Sequence, residues 1–527
     1  MSVSKKHINI VWFRRDLRLD DNEAVAQACS DPDAETVFIF CIDPWFFAQP
    51  EIGWSRVRFL FESLIVLDKK LQTLGSRLVI LEGKTDQSLP VFMSNLQTQG
   101  YTTSLYFNHD VQVKYGIERD KSIVSWCRDH AVPVTQSLNN FLLFEYAQMP
   151  QWRMQYYKYL ALPHHDISNI ILLPQAFDIS QKHTTADELW ERFIPHHATD
   201  FSPLFTGGED VATKVLDSFL QTRAQGYHWK LSRPYLAQLG STSQLSAHLA
   251  FGTISVRSVY QATKLRQKEV RKNDPKFAFS LSAFLDRLRW KDSFTQRLFF
   301  NPDLMWKNRH SEFNQIYLDV PLIGEKIEYF ERWKRGDTGF AMVDASMRQL
   351  NTQGYINFRM RAMCATFLCI NCGISWHHGA RYFMQKLIDG DIAINHWQWQ
   401  MQSGVTNPLS KTFRIYDPEV NLVKKDPDLQ FIHFWCPEYR TANTPTEVLW
   451  MQNPMLNFQE SKKKYSTVIS QIRKTVRERL VSEKGFEYGQ AVTIKTAVQM
   501  YQKSSKKRYA AAQSPLSIDL FEEQANA

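Results

Sequence analysis

No apolar run in the 527-residue chain approaches the roughly 18 residues that a membrane-spanning helix requires. The start, MSVSKKHINIVWF, passes from a short basic stretch directly into a strand-like run, so neither a secretory leader nor a membrane anchor is expected. Cysteine is scarce: Cys29, Cys41, Cys127, Cys364, Cys369, Cys372 and Cys436 are odd in number and scattered. That usage excludes a disulfide-stapled scaffold and fits a reducing compartment, with a cytoplasmic protein as the simplest expectation. Internal repeats at periods of roughly 20 to 50 residues are missing, which removes solenoids and propellers. No G-x-G-x-x-G follows the first strand-like run, so a dinucleotide held in the Rossmann manner is not expected there.

What is present is a long chain, 44% apolar and 22% charged, too large for one ordinary core and able to bury a large cofactor. Residues 8 to 135 alternate β-rich runs (INIVWF, VFIFCID, LVIL, LYFN) with helical patterns such as SRVRFLFESLIVLDKKLQTLG. This predicts a doubly wound α/β domain with a parallel sheet over 1–135. A connector rich in Pro, His and Asp follows over 136–205; its two His pairs lack a further ligand at useful spacing, and no metal is expected. Helical periodicity dominates 206–490, so the second domain is predicted to be mainly α, with a polar tail over 491–527. The formal charge of +9 favours a polyanionic partner, although basicity for solubility alone explains it equally well.

Asp391, Asn395 and Trp399 are spaced i, i+4, i+8, so a helix starting at Asp391 would align a carboxylate, an amide and an indole on one stripe. Buried carboxylates and amides are costly unless a polar ligand satisfies them; the plainer alternative is an exposed face with one Trp. Arg361 precedes Asp389 by a stretch, through CATFLCINCGISW, that reads as a helix able to bring the two together. In GSTSQLSAHL, Thr242, Ser243 and Ser246 offer hydroxyls suited to a pyrophosphate, or else an ordinary N-cap.

Four separated segments, WFRRDLRLDDN, TSQLSAHLAFGTIS, GDTGFAMVDASMRQLNTQGYINFRMRAM and LIDGDIAINHWQWQ, together resemble photolyases and cryptochromes in their order, over about residues 8 to 440. The resemblance implies an α/β antenna domain and a helical domain that holds FAD. It assigns Thr242, Ser243, Gln244, Leu245 and Ser246 to the FAD phosphates, with Tyr227 a further contact. Asp389 would pair with Arg361 beside the isoalloxazine, Asp391 would accept from a ring N–H, and Asn395 would face flavin N5. Trp399 and Trp376 match the inner and middle members of a tryptophan chain that photoreduces FAD. Trp290 matches the tryptophan that stacks on the lesion, and Arg233, Arg287, Lys291, Phe358 and Arg359 would meet the DNA.

This sequence also departs from the family pattern. Arg287 stands where cyclobutane-dimer photolyases usually carry Glu, which puts the lesion in doubt, and Met401 replaces a cavity aromatic unless Trp397 compensates. Ile323 falls where the outermost tryptophan is expected; Tyr329, Tyr317 or another surface aromatic is the candidate substitute. YFNHDVQVKYGIERD lacks the Glu that many members use for a folate antenna, so the antenna is folate, a deazaflavin, another flavin or nothing. The spacing of Cys364, Cys369 and Cys372, with Cys436 downstream, is similar to an iron–sulfur pattern. On a continuous helix these thiols would spread over about 140°, so buried structural cysteines are expected instead. The implied activity is light-dependent repair of cyclobutane pyrimidine dimers by a monomer acting on UV-damaged DNA. A blue-light photoreceptor cryptochrome and a (6-4) photolyase are the alternatives.

Overall fold

The computed structural model describes residues 6–111, 113–165, 184–194, 204–408, 410 and 413–487. The chain forms two compact units. The first comprises Met1–His228, Gly240–Pro302 and Met384–Asp391; the second comprises Trp229–Leu239, Asp303–Phe383 and Ile392–Ala527. The second His pair of the connector lies outside the described residues.

The first unit holds a five-stranded sheet, β1 (His7–Phe13), β2 (Glu35–Ile42), β3 (Leu78–Glu82), β4 (Thr102–His109) and β5 (Val134–Leu138), in the order β3-β2-β1-β4-β5. Every pairing is parallel, with Ile10 opposite both Val37 and Leu105. Both faces are covered, so β1 is buried almost without alternation and reads in sequence as a continuous apolar run. Ile8, Ile10, Val37, Ile39, Leu105 and Phe107 form its core with Leu89, Met93 and Ile123. The fifth strand escapes the apolar-run reading because VTQSL is largely polar, with mostly half-exposed residues. The helix α1 (Trp54–Thr73) buries Phe59, Leu64, Leu67 and Leu71, and its Ser55 hydroxyl donates to the Lys386 carbonyl at 3.0 Å. That bond ties α1 to the segment carrying Asp389 and Asp391. The long helix α2 (Pro275–Phe300) starts at Asp274, whose carboxylate accepts from Phe277 N–H, with Pro275 in the first turn.

Among the described residues, every element from residue 204 onward is helical. The second unit holds α3 (Glu325–Arg335), α4 (Phe358–Thr366), α5 (Trp376–Lys386) as far as Phe383, α6 (Ile392–Gln402) and α7 (Phe458–Glu487). The continuous helix expected through CATFLCINCGISW does not form. After α4 the backbone opens into a π-helical turn, Phe367–Asn371, and Gly373 turns left-handed at φ +62° before α5 begins. No described helix is long and apolar enough to cross a membrane.

Candidate functional site

In the first unit, the segment after Gly240 is held from behind by Arg223. Its guanidinium donates to the carbonyls of Gly240 (2.8 Å), Thr242 and Ser243 (3.4 Å). With the carbonyls taken on one side, the hydroxyls of Ser241 and Thr242 remain buried without a hydrogen-bond partner. Gln244 adopts φ +58°, a left-handed conformation uncommon for a residue with a side chain, and Leu245 and Ser246 follow at the start of a short helix. Tyr227 is buried in an aromatic cage, 5.5 Å from the Phe219 ring and 5.7 Å from Phe284. Two orphaned hydroxyls in a backbone of enforced shape suit a polar group of the size and chemistry of the FAD phosphates. Arg223 was missed by motif reading because it acts through carbonyls nineteen and twenty residues away in sequence.

The paired carboxylates Asp389 and Asp391 are buried in the same unit. Arg15 bridges Asp110 (2.7 Å) and Asp391 (3.5 Å), and with Lys291, His109, Asn139 and Thr295 it lines a small recess. Burial opposes the Arg15 charge, but Asp110 and Asp391 outweigh it and hold the guanidinium above its ordinary pKa. Arg56 on α1 is driven the other way. Burial, then the like charge of Arg15, push it down to about 10 against the pull of Asp391 and Asp389. Neither arginine was singled out as a site residue, although Arg15 belongs to the WFRRDLR segment.

On α2, the Trp290 ring lies 4.1 Å beneath the Arg287 guanidinium, and its buried indole N–H has no hydrogen-bond partner. Lys291 is turned inward, pairing with buried Asp292 at 3.1 Å. Burial raises Asp292 although Lys291 opposes it.

The remaining candidates belong to the second unit. The Asn395 side chain donates through Nδ2 to the Ala380 carbonyl at 3.0 Å, linking α6 to α5. Trp399, one turn further, packs its ring over Gly379; a Cβ there would stand 2.1 Å from Trp399 Cη2. Asp391 itself precedes α6, which begins at Ile392. Trp376 is fully buried, donates to Asn308 Oδ1 at 2.7 Å and stacks on His377. Arg361 donates to the Ile356 carbonyl at 2.8 Å and lies 5.3 Å from the Tyr355 ring. Among the proposed substitutes at the chain's exposed end, Tyr317 is 2% exposed and donates to the Ser403 carbonyl, so it is a core residue. Tyr329 is half-buried and donates to Glu325.

Arg359 stacks over Phe358 (5.2 Å) and Tyr416 (5.0 Å), its Nε buried without a partner. Burial, then the neighbouring Arg414 charge, lower its pKa, with Tyr416 opposing. Lys425 is lowered by burial and then by Arg359, Arg233 and Lys424. Five cations thus crowd one surface of this unit beside Phe358, which is 39% exposed. Arg414, Lys424 and Lys425 were not legible as partners of Arg233 and Arg359 because they converge only through folding. The four cysteines Cys364, Cys369, Cys372 and Cys436 are buried and reduced, and no group of three or more His, Cys, Asp or Glu able to hold a metal occurs among the described residues.

Residues 9–162 match the DNA photolyase family model and residues 284–483 match the FAD-binding domain of DNA photolyase. The chain is 30% identical to a deoxyribodipyrimidine photo-lyase of Agrobacterium fabrum, over 81% of this chain and 87% of that protein. It is 28% identical to a cryptochrome DASH of Gloeobacter violaceus, over 81% of this chain and 85% of that one. A crystal structure of a bacterial class III photolyase from Agrobacterium tumefaciens superimposes with TM-score 0.74 and 26% identity, covering 90% of this chain and 99% of that one. The parallel α/β unit, the helical FAD-binding part and these matches place the chain in the photolyase/cryptochrome superfamily.

Proposed function

We propose that the chain is a light-driven DNA-repair lyase that splits cyclobutane pyrimidine dimers. The observation that carries this reading is the cationic surface of Arg233, Arg359, Arg414, Lys424 and Lys425. A cluster whose members raise one another's electrostatic cost is maintained for a polyanion, and the adjacent aromatic face suits a nucleic acid rather than a small anion. The relatives named deoxyribodipyrimidine photo-lyase support the same substrate.

In this reading the orphaned hydroxyls at 241 and 242, with Ser243, Gln244, Leu245 and Ser246, hold the FAD phosphates, and Tyr227 adds a buried contact. Asp389, with Arg361, and Asp391, steadied by Arg15, fix the ring system. Bound FAD, reduced and excited by blue light, supplies the electron that opens the cyclobutane ring and receives it back. Asn395 presents Oδ1 as an acceptor and holds a proton at flavin N5, because the bond from one Nδ2 hydrogen to the Ala380 carbonyl fixes which way the amide is turned. Trp290 offers a face to the extruded pyrimidines and helps keep water from them. Arg287 over that ring favours a second reading, a blue-light photoreceptor without repair, since a guanidinium cannot accept from pyrimidine N–H groups as a carboxylate does.

The test is repair of a cyclobutane thymine dimer in an oligonucleotide by the pre-reduced chain under blue light, with a dark control and Asp391→Ala. Light-dependent recovery of intact thymines is the expected result. No recovery with stoichiometric reduced FAD overturns the lyase reading, and a (6-4) substrate in parallel then separates a different lyase from the photoreceptor.

A further inference from the structure

Ile323, where the family resemblance sets the outermost tryptophan, is 78% exposed and carries no oxidisable ring. The ring contacts of Trp399 lead in another direction, wholly within the second unit. Trp399 meets the Trp333 indole edge-on, with centroids 6.2 Å apart, and Trp333 meets the Tyr382 ring at 5.7 Å. Trp333 is fully buried and donates from Nε1 to the Cys364 carbonyl at 3.2 Å, so its ring is fixed rather than loosely packed. Tyr382 is partly exposed, and its hydroxyl donates to Asn351 Oδ1 at 2.6 Å. Trp376, by contrast, is sealed from solvent, and the rings against it are the imidazoles of His377 and His396, so its way to the 43% exposed Trp306 beside His396 passes through a group far harder to oxidise than indole or phenol.

We propose that Trp333 and Tyr382 are the electron-supply route to the flavin through Trp399, with Tyr382 as the surface donor in place of the missing outer tryptophan. The route rests on FAD binding alone and not on the identity of the lesion. Trp399 gives one electron to the photoexcited oxidised flavin, Trp333 refills Trp399, and Tyr382 refills Trp333 while its phenolic proton leaves to solvent. An external thiol then returns one hydrogen atom to Tyr382 and becomes a thiyl radical, two of which couple to a disulfide. The net transfer is one electron from thiol to flavin and one proton from thiol to water. Burial pushes the Tyr382 phenol up to about 12 and the Glu331 charge acts the same way, so it is protonated at rest and must lose its proton on oxidation. Proton loss makes the hole at Tyr382 slow to return, the property a terminal donor requires.

The experiment is laser excitation of the full FAD-loaded chain with the flavin oxidised, followed by transient absorption and EPR, with FAD stoichiometry and Tm recorded for each variant. A tyrosyl radical is expected in the wild type and absent in Tyr382→Phe, and long-lived photoreduction should fall about tenfold in Trp333→Phe. Tyr382→Phe keeps the ring packing and so remains informative if Trp333→Phe is poorly folded. Wild-type yields in both variants, with loss confined to Trp376→Phe, overturn the route, as does a wild type that forms only tryptophanyl radicals. Repair is scored separately, so a chain that fails to repair dimers yet shows the tyrosyl pattern sinks the lyase reading and leaves the route standing.

Discussion

An amide can in principle present either end to a flavin, and the sequence leaves Asn395 free to do both. The bond from Nδ2 to the Ala380 carbonyl commits it to one, because reversing the amide would set two oxygens against each other. His248 shows the same dependence on surroundings. Two residues beyond the orphaned-hydroxyl segment, it is buried with Nδ1 against the Thr253 hydroxyl, and burial pushes it down to about 4 from an ordinary 6.5. A depressed folded-state pKa means that its contribution to stability is fully present above about pH 6.5 and is lost as pH falls through about 4. Linkage puts the loss at about 3 kcal/mol, so urea unfolding should show the wild type losing that much relative to His248→Gln between neutral pH and pH 4. Parallel pH profiles for the two proteins would show that the histidine is not held neutral.

Elements decide what single positions cannot. The α5–α6 pair is joined by Asn395 and by the close approach of Trp399 to Gly379, where even one methyl carbon has no space. Gly379→Ala should therefore cost about 1 to 3 kcal/mol in urea unfolding and displace the Trp399 ring. An unchanged unfolding midpoint with unchanged near-UV circular dichroism would show that the helices separate freely. Four strands were legible because a sheet covered on both faces demands continuous apolar runs, whereas β5 was not, because VTQSL is largely polar and mostly half-exposed. The Asp391, Asn395, Trp399 stripe was readable from helical spacing, but the helix starts at Ile392 and leaves Asp391 to pair with Arg15. The break after α4 was not readable either: the segment is apolar enough to pass for one buried helix, but a π turn followed by left-handed Gly373 interrupts it.

For the molecule as a whole, the net charge of +9 says only that a polyanion is welcome. We propose that it docks where the folded second unit brings Arg414, Lys424 and Lys425 beside Arg233 and Arg359. Each phosphate neutralised there adds about −0.9 to the slope of log K against log salt on duplex DNA. Lys425→Gln and Arg414→Gln should each flatten that slope by about one unit, equally on undamaged and dimer-containing duplexes, in anisotropy titrations. Trp290→Ala should weaken binding to damaged DNA only. A slope unaffected by either cation substitution would remove this surface from the DNA contact.

The sequence by itself determined the α/β and helical halves, the superfamily and the residue types offered to FAD, because periodicity and short motifs are local and survive being read in one dimension. Only the tertiary structure decided which cations share a surface, which end of Asn395 is available, that Tyr317 is core and that Trp399 touches Trp333. Those are contacts between segments distant in the chain, and their distances are set by packing, which no local pattern encodes.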